Sequence, residues 1–331
     1  MNRGPAGHVT RSFLRPEPGT AGGCTDGAAG RPPRGASRRF LRTADGVAID
    51  AAYRPRTSAS GAPGPSGPSG TPGTPDTSED LVSEDLVMVL AHGFTGDLER
   101  PHVRRAATAF ARYAAVVTFS FRGHGASGGH STVGDREVLD LAAAVRWARE
   151  LGHTRVVTVG FSMGGSVVLR HAALHPRSEE EQEGRTGAHS DAVVSVSAPA
   201  RWYYRGTAPM RRLHWLVTRP VGRAVGRYGL RTRIHHRHWD PVPSSPVESV
   251  PLIAPTPLLI VHGDRDGYFP VDHPRMLAAA SGGHAELWLE PGMGHAENAA
   301  GDELLTRIGE WAARQKAPQA GGRGSGRDGR A

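Results

Sequence analysis

The chain of 331 residues has a single cysteine, Cys24. One thiol excludes an internal disulfide framework, a structural zinc–thiolate site and a CxxC redox pair. No apolar run approaches the roughly 18 residues of a membrane-crossing helix. The first 30 residues contain no apolar core of a secretory signal. These absences lead to the expectation of a cytoplasmic protein. Lysine is almost missing too: of 40 basic residues only Lys316 is not arginine, against 32 acidic residues and a formal charge of +8. The arginines lack the interleaved aromatic residues of a single-strand binding groove, which argues against a nucleic-acid partner.

Glycine and proline, by contrast, are abundant. Together they make 70 of 331 residues, about a fifth where about an eighth is usual. Three stretches absorb the excess: residues 1–36, the Gly/Pro/Ser-rich segment 57–80, and 317–331, which runs GGRGSGRDGRA at its end. None carries enough apolar surface to offset the entropy of ordering. The expected organisation is a disordered tail over 1–37, one domain over 38–315 with a surface loop at 57–80, and a second disordered tail over 316–331.

The remainder alternates strand and helix patterns. Residues 40–54 read as a hairpin with Asp45-Gly46 in its turn. Continuous apolar runs such as 85–93, DLVMVLAHG, suit strands buried on both faces. Residues 134–151 place Val138, Leu141, Val145 and Ala148 on one helical face. Repeated β-α-β units imply a mainly parallel sheet of α/β class with helices on both faces, and reactive groups just beyond the carboxyl ends of its strands.

Gly160-Phe161-Ser162-Met163-Gly164 fits a strand–turn–helix nucleophile motif, in which small residues on either side allow a sharp, strained turn. A second match, Gly125-Ala126-Ser127-Gly128-Gly129, has loop residues on both sides and no helix following. Ser162 is therefore the nucleophile candidate and Ser127 the decoy. A serine hydroxyl needs a base, and the base an orienting carboxylate, in the chain order Ser, then Asp or Glu, then His. Asp266 and His295 each follow a downstream strand. Asp264, nearer its strand, is expected to order the loop instead, and His284 precedes its strand at the opposite edge. An oxyanion would be held by the backbone amides of Met163 and of Phe94, in the loop after the first long buried strand.

The segments HGFTG (92–96), FRGHGAS (121–127), GFSMGG (160–165), HGDRDGYFP (262–270) and GMGHAE (292–297) occur in family order and spacing. Through them the chain resembles α/β-hydrolase-fold serine hydrolases of the esterase, lipase and serine-peptidase-like group, over roughly residues 38–315 apart from 57–80. The HGFTG and GHG-x-S-x-G segments are also similar to those of bacterial cinnamoyl and feruloyl esterases. The resemblance implies an eight-stranded, mainly parallel sheet with a short helical cap over 198–255, and cleavage of a small-molecule carboxylic ester through Ser162, His295 and Asp266 without cofactor or metal. A thioesterase or a peptidase would use the same three residues, and a catalytically silent binding protein could share the fold. Serine at position 162 argues against dehalogenase and epoxide hydrolase chemistry, which uses aspartate there. In one departure from the family, Ser120 stands where many relatives have aspartate, so the 121–127 loop is expected to be braced differently.

The cap segment 201–239 contains ten arginines and no Asp or Glu. Met210, Leu213, Val217, Val221, Val225 and Tyr228 recur at helical spacing, with a break expected at Pro220. The main expectation is an amphipathic cap packed over the groove with its arginines in solvent. The alternative is that these arginines meet an anionic group of the substrate or an anionic membrane surface. His235, His236 and His238 have only Asp240 nearby as a further ligand, so no metal site is expected there.

Overall fold

In the computed structural model, residues 35–57, 85–177 and 187–315 are described. The expectations for the two tails and for 57–80 fall outside them, apart from residues 35–37 and 57.

The chain opens with β1 (Ser37–Arg42) and β2 (Ala48–Arg54), paired antiparallel around the Asp45-Gly46 turn. Six further strands follow: β3 (Leu86–Ala91), β4 (Ala115–Phe119), β5 (Arg155–Phe161), β6 (Ala192–Val196), β7 (Leu258–Gly263) and β8 (Ala285–Glu290). They form one eight-stranded sheet in the order β1-β2-β4-β3-β5-β6-β7-β8. The pairings of β1 with β2 and of β2 with β4 are antiparallel, and those from β4 to β8 are parallel. The central strands are apolar throughout because each contributes to two cores. Val87, Val89 and Ala91 of β3 face one hydrophobic cluster, while Leu86, Met88 and Leu90 face the other. That alternation explains why the sequence shows a continuous apolar run there rather than a period of two.

Helices α1 (Pro101–Phe110), α2 (Glu137–Glu150) and α3 (Met163–Leu174) are crossovers between parallel strands. Between β6 and β7 lie α4 (Ala208–Thr218), α5 (Pro220–Gly229) and the single turn α6 (Pro246–Ser249). The chain ends in α7 (Asp272–Ala280), α8 (Ala296–Ala299) and α9 (Asp302–Arg314). Side chains of α2, α3 and α7 fill the first core, and those of α1, α8 and α9 the second.

The expected cap is present, and Pro220 separates its two helices: Arg219 is extended (φ −95°, ψ 141°) and Pro220 takes the first position of α5, where a missing N–H costs nothing. The expectation of one apolar stripe packed over the groove holds only for α4. Met210 is buried and Leu213 and Val217 are partly so, whereas Val221, Val225 and Tyr228 of α5 are exposed. The reason is close packing of α5 on α4 and on the segment that follows α5. Gly222 lies so near α4 that a Cβ there would stand 2.5 Å from the Trp215 carbonyl, and one on Gly226 would stand 3.0 Å from Ile234. The glycine face, not the valine face, turns inward.

Candidate active site

β5 runs straight into α3 through one residue, Ser162, whose φ of 53° and ψ of −112° lie outside the ordinary strand and helix regions. The turn is possible because nothing protrudes from its flanks. A Cβ on Gly160 would stand 2.2 Å from the Gly164 carbonyl oxygen, and one on Gly164 2.1 Å from that of Ala91. The Ser162 amide donates to the Val196 carbonyl at 2.8 Å, tying the turn to the end of β6. The hydroxyl thus stands at the N-terminus of α3, where backbone amides are unpaired and carry partial positive charge.

His295 and Asp266 come from the loops after β8 and β7. Ser162 Oγ lies 2.8 Å from His295 Nε2, and His295 Nδ1 lies 2.8 Å from Asp266 Oδ2. The carboxylate fixes the ring: Nδ1–H donates to Asp266, leaving Nε2 to accept the serine proton. Asp266 Oδ1 accepts from the amides of Tyr268 (2.8 Å) and Phe269 (3.0 Å). Burial pushes the Asp266 carboxyl up, but the His295 hydrogen bond and charge and those two amides outweigh it and hold the group below its ordinary value. Tyr268 stacks on the His295 ring at 4.3 Å and Phe269 meets it edge-on at 5.6 Å, which restricts its rotation.

The residues set aside lie elsewhere. Asp264 accepts from the Gly292 amide at 2.6 Å and so links the two loops. His284 Nε2 donates to the Thr256 carbonyl. Ser127 is fully buried; it donates to the Ser120 carbonyl and accepts from the Asp50 amide.

Loop 92–96 borders the serine; a Cβ on Gly93 would stand 3.5 Å from Ser162 Cβ. The amides of its residues 93–96 can be accounted for one by one. Gly93 N–H donates to Glu297 Oε1 (2.9 Å), Thr95 N–H to His124 Nε2 (3.3 Å) and Gly96 N–H to the Gly93 carbonyl (3.0 Å). Among the described residues, only Phe94 N–H of these four has no acceptor, and Met163 N–H at the start of α3 has none either. Both residues line a pocket of about 170 Å³ that contains Ser162 and is roofed by Trp202, Met210, Leu213, Val217 and Trp239.

Residues 87–179 match the family model described as alpha/beta hydrolase fold. An esterase from Pyrococcus furiosus superposes with a TM-score of 0.58 at 21% identity, covering 86% of this chain and 99% of that one. The chain has the α/β-hydrolase fold. Among curated relatives of this hydrolase-fold chain, esterase LipC of Mycobacterium tuberculosis is 29% identical over 176 residues, 48% of this chain and 40% of that protein. A monoacylglycerol lipase of Mycolicibacterium smegmatis is 28% identical over 235 residues, 63% of this chain and 80% of that protein. The match thus spans less than half the length of the first relative and most of the second.

Several residues of the hydrolase-fold site lie within the segments quoted above but had no role assigned from the sequence. Glu297, 4% exposed, ties α8 to loop 92–96, and its sequence signal is its place at the end of the GMGHAE segment, two residues after His295. His92 and His124 are buried and their basicity is lowered, in both cases foremost by that burial. His92 Nδ1 donates to the Gly93 carbonyl while Nε2 accepts from the Phe121 amide at 3.0 Å. In the loop 121–127, Arg122 grips Asp140 (Nη2–Oδ1 2.8 Å) and Asp45 (Nη1–Oδ2 2.7 Å), while Ser120 Oγ accepts from the Leu98 amide. Among the described residues no three His, Cys, Asp or Glu side chains gather as a metal would require, and no helix is long and apolar enough to cross a membrane.

Proposed function

We propose that the chain is a serine hydrolase that cleaves carboxylic esters by acyl transfer. The observation that carries this reading is the unbroken hydrogen-bond chain Asp266–His295–Ser162, at 2.8 Å per link, opening into an apolar pocket beside two free amides. Ser162 Oγ attacks the ester carbonyl carbon as its proton passes to His295 Nε2. The carbonyl oxygen, now an oxyanion, accepts from the amides of Phe94 and Met163. As the intermediate collapses, His295 returns the proton to the departing alcohol and an acyl ester remains on Ser162. Water enters, gives a proton to His295 and attacks the acyl carbon; collapse releases the acid and restores the serine. Asp266 keeps the imidazole in the required tautomer and stabilises the imidazolium without taking its proton. The mainly apolar walls fit an ester with an apolar acyl or aromatic part, and the names of the mycobacterial relatives point to the same bond type.

The test is incubation with a fluorophosphonate followed by intact mass, together with hydrolysis of p-nitrophenyl esters from acetate to palmitate. One adduct, on Ser162, is expected. Ser162→Ala should lose the adduct and lower kcat by a factor on the order of 10⁶. Folded protein that neither labels nor hydrolyses any ester of the series would leave a binding protein on this fold.

A further inference from the structure

Half of the large hydrophobic side chains exposed among the described residues, five of ten, fall between Tyr203 and Tyr228, so the cap is where unburied apolar surface concentrates. On α5, Val221 (66% exposed), Val225 (46%) and Tyr228 (80%) follow one another at i, i+4 and i+7, along one side of the helix. The glycine contacts with α4 and Ile234 hold that side outward. On α4, Met210, Leu213 and Val217 line the pocket, while Arg211, Arg212 and Trp215 (47%) are exposed on the opposite side. α4 therefore has one side committed to the pocket, whereas the inward side of α5 packs on α4 and Ile234; the exposed sides of the two helices carry valine, tyrosine, tryptophan and arginine.

The charge on this face is unbalanced. Of the ten arginines between 201 and 239, only Arg201 reaches a carboxylate among the described residues, Asp272 at 3.5 Å. Arg223 donates to the carbonyls of Val217 and Thr218 at the end of α4, and Arg227 lies over the Tyr228 ring at 5.6 Å. Arg212, Arg219 and Arg227 are exposed. Exposed aliphatic and aromatic side chains beside cations without a carboxylate partner fit a surface that is itself apolar below and anionic above, as a bilayer is. A second copy of the chain would bring like charges together across the contact, and a nucleic acid would leave the valines without an apolar partner.

We propose that the outer face of the cap, centred on Val221, Val225 and Tyr228, docks on an anionic lipid surface. The docked helix α5 packs through Gly222 on α4, the helix that lines the pocket. This inference goes beyond the hydrolytic reading and does not depend on it.

The test is co-sedimentation of the full chain with vesicles of phosphatidylcholine and phosphatidylglycerol, against vesicles of phosphatidylcholine alone, at low and high salt. Binding is expected only with phosphatidylglycerol and should weaken as salt rises. The combined variant Val221→Ser/Val225→Ser/Tyr228→Ser should weaken it tenfold or more. Arg212→Gln/Arg227→Gln should weaken it by about 25-fold, at about fivefold per arginine. Neither variant touches the pocket, so circular dichroism, melting temperature and labelling by a fluorophosphonate should stay as in the parent. The proposal is overturned if the parent chain stays in the supernatant, or if both folded variants bind as it does. It is equally overturned if sedimentation velocity shows a self-association that the serine variant abolishes, or if duplex DNA binds more tightly than the lipid and through the same residues.

Discussion

Glu297 offers the sharpest test of how the site is built. Its carboxylate is nearly sealed from solvent, accepts the Gly93 amide at 2.9 Å and lies 3.8 Å from His102 Nε2. Through Gly93 it sets the path of loop 92–96 and so the aim of the Phe94 amide. A buried hydrogen bond to a charged group contributes about 1.5–3 kcal/mol. Complete loss of an oxyanion donor costs about 100–1000-fold in turnover. Glu297→Ala removes the anchor but leaves the Phe94 amide itself, so kcat should fall by about ten- to a hundredfold. KM should change little, because Glu297 does not line the pocket. Glu297→Gln retains an acceptor without the charge and should lose only a few-fold. The assay is steady-state hydrolysis of p-nitrophenyl butyrate alongside the rate of fluorophosphonate labelling. Because α8 also carries His295 at its start, a control is needed that disturbs α8 alone. Arg105 donates to the carbonyls of Glu297 and Ala300, so Arg105→Ala loosens α8 without touching the Gly93 anchor. A kcat for Glu297→Ala within threefold of the parent, or an equal loss in Arg105→Ala, would refute the reasoning.

Other outcomes follow from the same geometry. Asp266→Asn should lower kcat by about 10⁴-fold with the fold intact, since an amide no longer selects the Nδ1–H tautomer; a loss under tenfold in p-nitrophenyl butyrate hydrolysis would contradict the proposed role. Gly164→Ala places a Cβ 2.1 Å from the Ala91 carbonyl and should destabilise the chain by about 3 kcal/mol in urea unfolding, with Ser162 labelling lost. Met163→Ala keeps the backbone amide and should retain most of the activity that Ser162→Ala abolishes, checked in one fluorophosphonate and ester assay. Acid stability provides a fourth check. Burial lowers His153 to about 4, His189 to about 3 and His273 to about 4, all below the ordinary 6.5. The unfolded chain then binds more protons than the folded one below pH 6.5, so stability is complete above that pH and falls as pH drops. Three such groups give a slope of about 4 kcal/mol per pH unit near pH 5, and urea midpoints that stay flat from pH 6.5 to about 5 would rule this out.

The α/β order, the hairpin turn and the positions of Ser162, Asp266 and His295 were legible because each rests on local rules. Strand-to-helix transitions show as changes of apolar period, and groups just after parallel strands share one edge of the sheet whatever their distance in sequence. The decoy Ser127 could be set aside for the same reason, by its lack of a following helix. The choice of Asp266 over Asp264 agrees with the geometry: Asp264 turns to the Gly292 amide and Asp266 to His295.

What pairs with what across long separations was decided only by the tertiary structure. Glu297 and Gly93 are 204 residues apart, and no periodicity links an acid in one loop to an amide in another. The brace on the 121–127 loop also depends on distant partners, with Asp45 77 residues from Arg122. The cap shows the limit most plainly. Its 3.6-residue period specifies that Val221, Val225 and Tyr228 share a side of a helix, but not which side faces inward. That was settled by Gly222, whose missing side chain lets α5 approach the α4 backbone, and by Gly226, which makes room for the Ile234 side chain, leaving the apolar stripe in solvent.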